Sequence, residues 1–151
     1  MINKVLPKWL EDRNITEPNP YLVFAACIIE ELLEPLYPKA LVKEYTTKII
    51  RDYFEDEYWN KNGKLDDNAV IDSIQDIKVF ANNETTLRGY DNVKCETEVL
   101  KHISCRKQDP LQKAEWEKNG ASGKWLKDPN QDPSELYEPD YEKCKLWLQE
   151  Y

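Results

Sequence analysis

The most apolar stretch of the chain, Tyr21-Leu22-Val23-Phe24-Ala25-Ala26-Cys27-Ile28-Ile29, is hydrophobic around its whole circumference and runs directly into Glu30-Glu31-Leu32-Leu33-Glu34. Such a run predicts a buried helix. The turn-rich Thr16-Glu17-Pro18-Asn19-Pro20 precedes it, with Asn19 placed to cap and Pro20 to occupy the first helical position. Pro35 biases Glu34 away from helical geometry and Tyr37-Pro38 repeats the stop, so the helix is expected to end or kink near Glu34.

On either side the pattern is amphipathic. Ile2, Val5, Trp9 and Leu10 predict a short helix within 2–13, weakened by Pro7. Ala40, Leu41, Tyr45, Ile49, Ile50 and Tyr53 or Phe54 form a helical stripe over 38–54. Glu55-Asp56-Glu57-Tyr58-Trp59 then leads into a turn at Asn60-Lys61-Asn62-Gly63-Lys64, with Gly63 as the positive-φ residue. Asp66-Asp67-Asn68 suits a helix start, Val70, Ile71, Ile74, Ile77, Phe80 and Ala81 supply its apolar face, and Gly89 stops it after Leu87. A further helix is predicted from Asn92 to Cys105, carrying Val93, Val99, Leu100 and Ile103.

After Arg106 the periodicity fades. Residues 107–140 hold Pro110, Pro129, Pro133 and Pro139, with one short helix expected at Leu111 to Lys118 and another, weakly marked, at Tyr141 to Tyr151. The expected architecture is all-α: a bundle of roughly four to five main helices over 1–106. An extended, irregular tail over 107–151 would pack on the core or on a neighbouring subunit through Trp116, Trp125 and Tyr137.

Composition changes this picture in two ways. A chain of 151 residues with 40% hydrophobic residues is long enough for one domain with a core. Its 29 acids against 21 bases leave a formal charge of −8, which argues against a nucleic-acid groove. Cys27, Cys95, Cys105 and Cys144 show no paired spacing and read as reduced thiols of a cytoplasmic protein. Charged residues interrupt every apolar run before membrane length, and Lys4, Lys8, Glu11, Asp12 and Arg13 do not fit a signal peptide, so neither a membrane span nor a leader is expected.

The chemistry follows from the acids. On a helix, Glu31 and Glu34 stand at i, i+3 and Glu30 and Glu34 at i, i+4, so like charges share a face beside an apolar segment and call for a cation. Asp72 and Asp76 repeat the one-turn spacing on the helix that follows Asp66. Two such helices can close four carboxylates around one or two ions, and an all-oxygen donor set favours Mg²⁺, with Mn²⁺ as the alternative.

Four stretches together resemble the all-α nucleoside triphosphate pyrophosphohydrolases, the superfamily of MazG, the dimeric dUTPases and phosphoribosyl-ATP pyrophosphohydrolase, and in particular the short MazG-like proteins of phages. They are Trp9-Leu10-Glu11-Asp12-Arg13-Asn14-Ile15, Glu30-Glu31-Leu32-Leu33-Glu34, Asp72-Ser73-Ile74-Gln75-Asp76-Ile77, and the Gly-Lys-x-Leu-Lys-x-Pro-Asn pattern of Gly123 to Asn130. The resemblance implies a Mg²⁺ site of Glu31, Glu34 and Asp76, with Glu30 or Asp72 as a further ligand or as the residue that positions the attacking water. It departs from the family where Ser73 replaces the glutamate of the usual E-x-x-D and where His102-Ile103 replaces a Ser-Asn. Lys78, Arg88, Lys101, Arg106, Lys124 and Lys127 are available to hold outer phosphates, and Trp9 or Tyr90 to stack on a base. The resemblance implies a homodimer or homotetramer, and so few core helices with an extended tail leave apolar faces for a partner to cover.

Plainer readings stand beside these. An isolated E-E-x-x-E is commonly a solvated helix face, Asp66-Asp67 reads as a cap, Glu55-Asp56-Glu57 as a solvated turn, and His102 as a surface or phosphate-facing residue. No P-loop, dinucleotide fingerprint or zinc-protease motif is present. The competing function class is an acidic helical module that binds a partner through charge, without catalysis. Within the enzyme class the competing substrates are another pyrophosphate compound, a phosphoribosyl nucleotide or an alarmone.

Overall fold

The computed structural model describes residues 8, 10–13, 15 and 20–146. The protein is all-α: among the described residues there is no strand, only two isolated β-bridges. The helices are α1 (Tyr21–Leu33), α2 (Lys39–Tyr53), α3 (Glu55–Asn60), α4 (Asp67–Leu87), α5 (Asn92–Ser104) and α6 (Pro110–Asn119), followed by the 3-10 turns Pro133–Glu135 and Glu142–Cys144. Of the expected N-terminal helix, Lys8 and Leu10 to Asp12 are helical, Arg13 is in a turn, and the rest lies outside the described residues, as do Asn19 and Trp9. The chain clusters into two compact units, Pro18–Ser73 and a second made of Ile74–Tyr151 with Met1–Glu17.

In the first unit α1 and α2 fold back on one another across the turn that Pro35 and Pro38 impose. Pro20 is the N-cap of α1, without a side-chain cap bond. Ala25, Val42 and Thr46 are the buried contacts of this pair. Ala25 and Thr46 are small, which lets two helix backbones approach closely. The Thr46 hydroxyl is buried and finds no hydrogen-bond partner among the described residues. Tyr37 meets Tyr45 edge-on at 5.0 Å between ring centroids, packing the connecting turn onto α2.

The acidic stretch expected as a turn is instead the short helix α3. Three acids in its first turn, Glu55, Asp56 and Glu57, complement the positive end of the helix dipole. The Tyr58 ring lies nearly parallel to that of Tyr21, 6.3 Å away, and this tertiary contact holds a segment too short to be helical alone. Asn62 and Gly63 then reverse the chain at φ values of 55° and 66°.

Helix α4 starts at the expected cap, the Ala69 N–H donating to Asp66 at 3.1 Å. It ends in a Schellman turn: Tyr90 N–H reaches the Thr85 carbonyl at 3.1 Å, Gly89 N–H reaches Thr86 at 2.9 Å, and Gly89 sits at φ 84°. Between those ends its apolar side chains stay open, with Ile71 57%, Phe80 70% and Leu87 81% exposed.

In the second unit the Asn92 amide donates to the Asn82 carbonyl at 3.0 Å and to the Thr86 hydroxyl at 2.8 Å, fixing the start of α5 against the end of α4. Asp91 caps α5 and Asp109 caps α6, which ends at Gly120. The tail is irregular but paired. Asp91 N–H donates to Cys144 and Leu146 N–H to Gly89, both at 2.8 Å, while Asp128 N–H donates to Lys107 at 2.8 Å and Asp109 N–H to Leu126 at 2.9 Å. The Gln112 side chain joins Lys124 and Leu126 across the tail, at 2.7 and 2.8 Å. No helix of the described residues is long and apolar enough to cross a membrane.

Candidate functional site

Helix α1 carries Glu30 half-buried and Glu31 and Glu34 exposed. Glu34 keeps helical dihedrals and donates its N–H to the Glu30 carbonyl at 3.0 Å, so Pro35 does not distort it and the turn begins one residue later. The steric bias against helix before proline is outweighed here by completion of the last intrahelical bond. The three glutamates therefore have the helical spacing expected of them.

Asp72 and Asp76 are exposed on α4 at i, i+4. Glu30, Glu31, Glu34 and Asp72 belong to the first compact unit and Asp76 to the second. Among the described residues no three acid, histidine or cysteine side chains are grouped so as to hold a metal ion. The donor chemistry of the five acids suits a hard cation. No gathered ligand set accompanies it.

The basic residues divide. Lys78 and Lys127 are exposed, as is Lys124, whose carbonyl accepts from Gln112. Arg88 is paired with Glu84 at 2.8 Å, and Lys101 with Glu98 at 3.3 Å. Arg106 is half-buried and reaches the His102 ring at 2.8 Å.

His102 is half-buried, with both ring nitrogens in contact. Its Nδ1 lies 2.6 Å from the Tyr137 carbonyl oxygen, which can only accept, and its Nε2 faces the Arg106 guanidinium, which can only donate. Both constraints are met by one form, the neutral imidazole with its proton on Nδ1.

Arg106 also lines a cavity of about 520 Å³, with Arg13, Lys107, Lys113 and Trp125. The Arg13 guanidinium lies 5.2 Å from the centroid of the Trp125 indole and donates to the Arg106 carbonyl at 3.2 Å. Burial lowers the Arg13 pKa, against the opposing effect of Asp12. All of these residues belong to the second unit. Two further cavities, of about 450 and 420 Å³, contain none of the five acids.

The strongest electrostatic feature of the second unit is one the sequence did not single out. Glu98 is 2% exposed and accepts from Lys143 at 2.6 Å, Lys101 at 3.3 Å, the Asp140 N–H at 3.2 Å and the Tyr137 hydroxyl. Lys143, Tyr137 and these further donors hold its carboxyl pKa down at about 2, outweighing its desolvation. The same contact, with Glu98 as first cause, raises the Lys143 pKa. Beside it the Cys95 thiol faces the fully buried Cys144, and burial first, then the Cys144 contact, pushes its pKa up to about 11. An acid on the same helical face as Cys95 and His102 was the available signal for Glu98, three residues from one and four from the other.

Comparison of the chain with family models, with curated proteins and with solved structures finds no match.

Proposed function

We propose that this protein is a Mg²⁺-dependent nucleoside triphosphate pyrophosphohydrolase of the all-α, MazG-like kind, converting an NTP or dNTP to the monophosphate and pyrophosphate. The observation that carries the reading is the acid spacing: Glu30 and Glu31 each one turn before Glu34, the C-cap of α1, and Asp72 and Asp76 at one turn on α4. Glu31, Glu34, Asp72 and Asp76 would hold the ion, with Glu30, Glu31 or Asp72 as the group that orients the attacking water. The metal would supply charge neutralisation of the triphosphate and a water of lowered pKa. Exposed cations such as Lys78, Lys124 and Lys127, with Arg88, Lys101 and Arg106, would hold the phosphates not under attack. Its expected setting is cytoplasmic.

A homodimer or homotetramer belongs to the same reading. The open apolar side chains Ile77, Phe80 and Leu87, on one side of α4, are a surface that self-association would cover. The test is incubation with Mg²⁺ and a panel of NTPs and dNTPs, scored by pyrophosphate release. Glu31→Gln and Asp76→Asn should each abolish release while the helical circular dichroism is retained. Absence of release from every nucleotide by folded protein refutes the reading.

The second reading is an acidic helical module that binds a basic partner without catalysis. It is favoured by the exposure of Glu31, Glu34, Asp72 and Asp76 and by the absence of a grouped metal set among the described residues. Calorimetry separates the two. Salt-sensitive association with a basic protein and no heat on Mg²⁺ or Mn²⁺ addition favour the module. Release of pyrophosphate from a phosphoribosyl nucleotide or an alarmone, but not from triphosphates, would move the substrate within the enzyme class.

A further inference from the structure

We propose that the cavity formed by Arg13, Arg106, Lys107, Lys113 and Trp125 binds a compact polyphosphate group without the help of a metal ion. The chain carries a net charge of −8, yet this cavity presents four cations and only two carboxylates, Asp12 and Asp128. The two carboxylates offset part of that charge, Asp12 acting on Arg13 and Asp128 on Lys107, and leave an excess of two cations; each is also shared with another group. Asp12 pairs with Lys8 at 2.5 Å and Asp128 accepts from the Asn130 N–H at 2.9 Å. A local reversal of sign in an acidic chain concentrates anions at that place.

The cations differ in what already faces them. Lys107 is shared with Glu135 at 2.8 Å. Arg106 leans on the neutral His102 ring, which orients the guanidinium and leaves its charge uncancelled by that contact. Lys113, on the first turn of α6, has no ion-pair partner among the described residues. The stack on Trp125 and the bond to the Arg106 carbonyl fix the plane of Arg13 in advance, which lowers the ordering cost of binding.

Two guanidiniums match oxyanions through paired N–H groups, and two ammoniums add point charges. The cations come from three separate segments, so an anion of several oxygens meets more of them than a single carboxylate can. The volume of about 520 Å³ lies within the span of about 300–1,000 Å³ usual for small-molecule sites. The group recognised is a di- or triphosphate, whose source is either the free inorganic ion or a nucleotide. Of these residues only Arg106 is shared with the hydrolase reading, and none is one of the five acids, so the inference stands without that reading.

The experiment is isothermal titration of the full chain in EDTA, at fixed ionic strength, with inorganic pyrophosphate, with ATP and with sulfate. Saturable binding of pyrophosphate or ATP is expected, weakened about tenfold by Arg106→Gln and about fivefold by Lys113→Gln, with Lys94→Gln unchanged. Lys113 is exposed on a helix, so its variant keeps the test valid if Arg106→Gln fails to fold. Equal affinity for the two phosphates assigns the free ion, and at least tenfold tighter ATP assigns the nucleotide; either supports the site. Failure of both to bind, sulfate binding as tightly as either, or binding indifferent to Lys113→Gln overturns it. Because no turnover or metal is involved, an inactive protein that binds pyrophosphate refutes the hydrolase reading and leaves this one intact.

Discussion

The Lys143 ammonium lies 2.6 Å from the Glu98 carboxylate, joining the end of the tail to the middle of α5 at a position 2% exposed. A buried carboxylate with several donors is costly to break on one side, since the partners are left unpaired. Glu98→Gln should therefore lower the Tm at neutral pH. The pH dependence follows from the sign of the shift. The folded carboxyl pKa is about 2 and the unfolded value is near its ordinary 4.5, so the unfolded state binds more protons between them. The stabilisation is complete above about pH 5 and is lost as pH falls toward 2. The Tm difference between wild type and Glu98→Gln should shrink over that window. A difference that stays constant down to pH 2 would show that Glu98 does not carry it.

Thr46 offers a prediction of opposite sign. Its hydroxyl is buried without a partner among the described residues, and valine has nearly the same shape. Replacing an unsatisfied polar group by an apolar one removes its desolvation cost, about 1 kcal/mol here. Thr46→Val should raise stability in urea titration by that amount with the slope unchanged. A loss of stability would place a hydrogen-bonded water at the hydroxyl.

The Cys95 thiol, with its pKa pushed up to about 11, should alkylate slowly. Thiolate is the reacting form, so at pH 8 iodoacetamide should modify Cys95 roughly two orders of magnitude more slowly than free cysteine. Peptide mapping by mass spectrometry measures this. Labelling at the rate of the free amino acid would contradict the burial between α5 and Cys144.

Gly89 holds φ 84° and nothing lies within 4 Å of where a Cβ would stand. The cost of Gly89→Ala is then backbone strain alone, about 1 kcal/mol. A much larger loss in chemical denaturation would show that the Schellman turn also positions Leu146, whose N–H bonds the Gly89 carbonyl.

Helix boundaries were legible because their determinants are local. Asp66, Asp91 and Asp109 at starts and Gly89 and Gly120 at ends act within a few residues, and α2, α4, α5 and α6 fall within two residues of their periodic patterns. Helix α3 was not legible, because what keeps Glu55–Asn60 helical is the stacking of Tyr58 on Tyr21, over thirty residues away in the chain. The candidate site divides the same way. The spacing of Glu30, Glu31 and Glu34, and of Asp72 and Asp76, is a property of single helices and could be read directly. The cavity could not, since Trp125 reaches Arg106 and Lys113 through the pairing of the tail with residues 107–109, and Arg13 through its contacts with Trp125 and the Arg106 carbonyl.

The chain has one histidine, and both nitrogens of that ring are held, Nδ1 by the Tyr137 carbonyl and Nε2 by Arg106. The ring thus ties α5 to the tail on one side and to Arg106 on the other. Replacing His102 should accordingly be felt at two places at once, in the packing of the tail at Tyr137 and in the aim of Arg106 into the cavity.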